Sequence, residues 1–321
     1  MKCRSLAVAS AFLAVLGVGA AAGQSSASPP PSSSPPETVT VIANARGPAV
    51  WQVANNGAEV AILGIVEPLP DAFLWNTKPL EAILGGTRLV LLPPNVRMGA
   101  FSGAWFYLAH SDLLHPPDGK TLWDILDPGA AEALSRACDF LHEPKDRYGD
   151  NSPIFAAMRL GSDFRHVDYL TTHEPEDSIA ALARARNVTV RRIATYDLVP
   201  SGEELLKLPA AVTGRCIEAA VRDIDFQSRH VAAAANAWAI GDVAGMMANW
   251  SPSHYTACLV QLSAHATAID ARSIDDTVQA INEALAGGGQ TVVLVDIGIL
   301  LRQGGVLDRL KAAGLSVTFR N

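Results

Sequence analysis

Apolar and polar positions along the chain change period several times, and those changes predict the elements. Val50 to Ile65 carries two β-rich runs around Asn55-Asn56-Gly57, which reads as a hairpin because this turn accepts the left-handed backbone that a tight reversal needs. "RLVLLPP" (88–94) carries an apolar run, Leu89 to Leu92, stopped by two prolines, the pattern of a buried strand. "DPGAAEALSRACDFL" and "PEDSIAALARARN" then switch to three- and four-residue spacing, with Asp127 and Glu176 near the helix starts. "VTVRRIAT" (188–195) reads as one strand. From about Glu203 to Leu285 the pattern is helical, broken at Gly241 and at Ser251-Pro252. The chain closes with a strand over 291–295, a turn at Gly298, a helix ending at Gly314, and a last strand, "LSVTFR". Strands near both ends with helices between them predict one α/β domain. Its central mixed sheet is built from N- and C-terminal strands around a large helical middle.

Before the first strand the pattern is of another kind. Lys2 and Arg4 precede an apolar run over 6–22 that ends in small residues, so residues 1–23 read as a cleaved signal peptide rather than an anchor. The Ser- and Pro-rich stretch 24–38 cannot bury apolar surface and reads as a disordered tether. The folded domain is placed at 39–321. Export, to a periplasm or to the medium, is the expectation, and with no second run long enough to span a bilayer, no stable membrane insertion follows signal cleavage.

The 321 residues are 49% hydrophobic and 18% charged, enough apolar material for a sizeable core. The formal net charge is −7 and becomes −9 once Lys2 and Arg4 are removed. No basic cluster occurs, which excludes nucleic acid as a main partner and leaves an unidentified protein or peptide. After signal cleavage Cys138, Cys216 and Cys258 remain, separated by 78 and 42 residues, which matches no metal pattern. Buried free thiols are the expectation, while an oxidising compartment permits one bridge.

The common catalytic signatures are absent: no nucleophile elbow, no His-Glu-x-x-His, no phosphate-binding loop, no Cys-x-x-Cys. "GGGQT" (287–291) precedes a strand rather than a helix and is a loop. None of the eight histidines has a partner three or four residues away, so none forms a helical metal pair. "HEPED" (173–177) reads as a solvated cluster at a helix start. The triplets at Asn187 and Asn249 fit the glycosylation pattern incidentally.

Three stretches in order resemble the TraB/GumN family. "PAVWQVANNGAEVAILGIVEPLP" (48–70) carries Trp51, Gly64, Leu69 and Pro70; "AWAIGDVAGM" (237–246) carries Trp238, Gly241 and Asp242; and the C-terminal segment carries Gly298, Leu300, Gly305, Leu307, Leu310 and Gly314. The resemblance spans roughly 46–321. It implies histidines at strand ends, acids from intervening strands, and a divalent metal serving hydrolysis in protease-like members. The positions that match those ligands are Glu67, Leu92, Ala194 and Ile299: one carboxylate and three apolar groups. The resemblance therefore implies a degenerate member with a binding or regulatory role and no cofactor. One alternative is a site rebuilt on Glu67 and Asp296, as an acid–base pair or with a hard cation. Another, from the family's name alone, is an accessory to envelope polysaccharide export.

Overall fold

The β-rich runs at the two ends of the domain meet in a single sheet. A computed structural model of the chain describes residues 46–320 apart from Asn56. The segments read as signal and tether lie outside the described residues. Six strands make the main sheet: β1 (Val50–Asn55), β2 (Ala58–Ile65), β3 (Thr87–Leu92), β4 (Thr189–Arg192), β5 (Gln290–Asp296) and β6 (Val317–Arg320). Their spatial order is β6-β1-β2-β5-β3-β4. The β1–β2 hairpin is antiparallel, with Asn55 opposite Ala58 and Gly57 at φ +82°, as its turn residues predict. β6 also runs antiparallel to β1, while β2, β5, β3 and β4 are mutually parallel. Two small two-stranded pairs complete the β structure among the described residues.

The central parallel strands β2 and β5 and the second half of β3 are buried on both faces, which is why they are almost wholly apolar; the edge strand β4, Thr-Val-Arg-Arg, is not. Residues alternate between two cores. Val60, Ile62, Leu91, Val293 and Val295 face helices Arg215–Ala239, Ala264–Ala286, Ile297–Leu301 and Val306–Ala312. Ala61, Leu63, Ile65, Val90, Leu92, Val292 and Leu294 face helices Lys78–Leu84 and Glu176–Ala185. A third core is wholly helical and lies among Pro128–Leu141, Pro153–Val167 and the first half of Arg215–Ala239. That 25-residue helix joins the lobes: Ile217, Val221 and Ile224 sit in the helical core, Ala235 and Trp238 in the sheet core.

Four expectations are corrected. The stretch 188–195 is not one strand. β4 ends at Arg192, and Thr195–Asp197 pairs in parallel with Asn95–Arg97 in a separate sheet, because the Pro93-Pro94 stop in the neighbouring strand breaks the ladder there too. The helical stretch has additional breaks, at 207–209 and at Ser263, whose side chain caps the next helix by accepting from Ala266 N. The C-terminal helix is two pieces, Ile297–Leu301 and Val306–Ala312, with Gly298 inside the first rather than in a turn before it. The cysteines are not all free. Cys216 and Cys258 form a disulfide with Cα atoms 5.6 Å apart, and among the described residues only Cys138 is a free, buried thiol. The 42-residue separation hides the pairing in sequence, and helix packing creates it.

Candidate functional site

Because β2, β5, β3 and β4 are adjacent and parallel, their carboxyl ends lie along one edge of the sheet, where open α/β sheets build their crevices. Ile65 is in register with Asp296, which places Glu67 beside the end of β5. Leu92 is in register with Arg192, Ile193 N donates to Leu92 O, and Asn95 N donates to Ala194 O. The strand ends that carry Glu67, Leu92, Ala194 and Asp296 are therefore neighbours.

Their side chains do not all enter one space. Leu92 is buried in the core beneath the Glu176–Ala185 helix, whereas Ile299 packs on the core of the opposite face. Glu67 is partly buried and has no hydrogen-bond partner among the described residues. Its carboxyl is pushed up to about 8, first by burial and then by the negative charges of Asp296 and Glu176; Arg192 opposes this, and Asp177 adds to it. Asp296 also rises, mainly through burial. The backbone N–H groups of Gly298 and Ile299 work against that by donating to its Oδ1, at 2.8 and 3.3 Å, which makes it the N-cap of Ile297–Leu301. Arg192 closes the far end of the edge by pairing with Glu176 and donating to Pro93 O at 2.7 Å. Sequence reasoning missed Arg192, Glu176 and Asp177 as parts of this edge. Their signal in the sequence is the acidic run opening the helix before β4, which by itself has the pattern of a solvated helix start.

A catalytic zinc-type site uses three protein ligands and an open position. Here Glu176 is committed to Arg192, Asp296 to its own helix, and Glu67 stands alone. Among the described residues no group of three or more His, Cys, Asp or Glu is arranged to hold a metal ion. The donor set does not fit such a metal. Two of the histidines are paired away from this edge: His254 Nδ1 is 2.8 Å from Asp223 and His265 Nδ1 is 2.9 Å from Glu204.

The glycines and tryptophans of the three motifs do converge, as a packing unit. Trp238 Nε1 donates to Gly64 O at 2.8 Å in the buried core, and the Trp75 ring meets Trp238 edge-on at 5.2 Å. A Cβ on Gly64 would lie 2.7 Å from Ile297 Cδ1, 3.0 Å from Trp51 and 3.1 Å from Leu300. This explains why the turn after β5 is aliphatic: Ile297 and Leu300 fill the surface that Gly64 leaves open on β2. Trp51, Gly64, Trp238, Gly241, Asp242 and Ile297 line one small cavity. Gly241 takes φ +72°, and Asp242 caps the next helix by accepting from Gly245 N at 2.9 Å. Gly305 is held by close backbone, since a Cβ there would sit 2.4 Å from Ile299 O.

An open, mostly parallel α/β sheet, with a carboxyl-end edge locked behind by a Trp–Gly hydrogen bond, is thus the class of protein at hand. The chain belongs to the TraB/PrgY/gumN family, whose model matches residues 49–319. No curated protein and no solved structure matches it.

Proposed function

We propose that this chain is an exported member of the family, periplasmic or secreted, that has lost a metal-dependent hydrolase site and keeps the fold for binding or regulation. The observation that carries the reading is the occupancy of the strand ends. Of Glu67, Leu92, Ala194 and Ile299, only Glu67 offers a ligand atom, and Leu92 and Ile299 are spent on packing. Elemental analysis of the purified protein and calorimetric titration with zinc, manganese and cobalt test it. The expected result is no tight binding and no metal-dependent peptidase activity. Stoichiometric micromolar binding that disappears in Glu67→Ala overturns it. Export is checked separately, by mass spectrometry of the mature N-terminus near Ala22 or Gly23.

A second reading rests on one specific observation: Glu67, two residues past the end of β2, lies near enough to Asp296 at the end of the adjacent β5 for that charge to help push its carboxyl up to about 8. Such a pair is suited to proton transfer near neutral pH. It predicts a hydrolytic activity that survives chelators and falls with Glu67→Gln.

A further inference from the structure

The Ala100–Ala109 helix is apolar on nearly every side, although it lies at the surface. Its inward face is Gly103 and Phe106. Phe106 is 1% exposed and packs so close to Gly202 that a Cβ there would lie 2.9 Å from the ring. The opposite face carries Phe101, Trp105 and Leu108, spaced four and three residues apart and therefore in one stripe, at 90%, 67% and 74% exposure. Tyr107 flanks the stripe and touches Phe155 with ring centroids 6.1 Å apart. Met158, three residues further along that helix, is itself exposed, as is Leu113.

We propose that this helix is the contact surface for a second copy of the same chain. Area supports it. At about 150–250 Å² for each large side chain, the exposed fractions amount to roughly 600 Å² on the helix, and Leu113 and Met158 bring the patch near the ~800 Å² per partner of a standard stable interface. Charge supports it as well. A chain of net charge −7 repels its own copy wherever acids face each other, and Met98 to Ser111 contains no charged residue. A two-fold axis near Trp105 would set stripe against stripe, each residue meeting the same patch on the partner. A membrane surface fits less well. Helices that lie on lipid line the borders of their apolar face with several Lys or Arg, whereas Ala100–Ala109 carries none, with a single Arg97 before it and Asp112 after it.

The test is sedimentation equilibrium on the full chain. Twice the monomer mass is expected, with a dissociation constant at or below about 1 μM. Because the interface is apolar, the constant should change little with salt. Trp105→Ala should weaken association at least about 30-fold, and Trp105→Glu with Leu108→Glu should leave monomers with unchanged far-UV circular dichroism. Trp105→Cys, tested in parallel, should cross-link to its copy under mild oxidation, which reports the contact even if the glutamate variant misfolds. A wild-type monomer at that concentration overturns the proposal. So does a dimer indifferent to both the alanine and cysteine changes, or a monomer that co-sediments with phosphatidylcholine vesicles through Trp105.

Discussion

Replacing Glu67 by glutamine should make the protein more stable, and increasingly so as pH rises. Glu67 has no hydrogen-bond partner among the described residues, and burial with Asp296 and Glu176 nearby raises its carboxyl from 4.5 to about 8. The folded state then keeps a proton that the unfolded chain releases, so stability falls as pH climbs from about 4.5 to about 8. Each unit of displacement is worth about 1.4 kcal/mol. By pH 7 the ionised form is disfavoured by at most about 3 kcal/mol, a ceiling trimmed by the solvent that still reaches this partly buried group. Glutamine keeps the shape and cannot ionise. Urea titrations of both proteins at pH 4, 5, 6, 7 and 8 should therefore coincide at the acid end and separate by about 2–3 kcal/mol between pH 5 and 7. The slope with denaturant should not change, because the surface exposed on unfolding is the same. Parallel pH profiles would refute the reasoning: Glu67 would then ionise as an ordinary exposed carboxylate, and its closeness to Asp296 would carry no electrostatic weight. The same result would remove the acid–base alternative, since a carboxyl titrating near 4.5 is fully ionised at neutral pH.

Two further outcomes are expected. Gly64→Ala should cost about 1–3 kcal/mol through overpacking, because its Cβ meets Ile297, Trp51 and Leu300 together; a melting temperature unchanged from wild type would show that the aliphatic turn is not seated on β2 as described. Replacing both Cys216 and Cys258 by alanine should cost about 4 kcal/mol, from the entropy of freeing a 42-residue loop in the unfolded chain, and a reducing agent should lower the wild-type midpoint by a comparable amount while leaving the double variant unmoved.

The sequence by itself was enough for the elements whose signal is local. Asn55-Asn56-Gly57 between two β-rich runs dictates a hairpin, because few other residues tolerate that turn. Asp127 before Pro128 dictates a helix start, because its side chain accepts the Ala130 N–H at 3.0 Å. The apolar runs at 89–92 and 291–295, too short for helices and bounded by Pro93-Pro94 or the glycines at 287–289, read as strands covered on both faces. The ordered tryptophans and glycines were legible as a family frame. What that frame does was not legible: the 174-residue span between Gly64 and Trp238 closes only when a helix lies across the sheet. The Cys216–Cys258 pairing and the Arg192–Glu176 pair were decided in the same way. The raised carboxyl of Glu67 was too, since it depends on a neighbour, Asp296, more than two hundred residues away. Turn chemistry and side-chain period act within a few residues, and sequence displays them. Burial, charge proximity and close packing are properties of what the fold places side by side, and only the tertiary structure decides those.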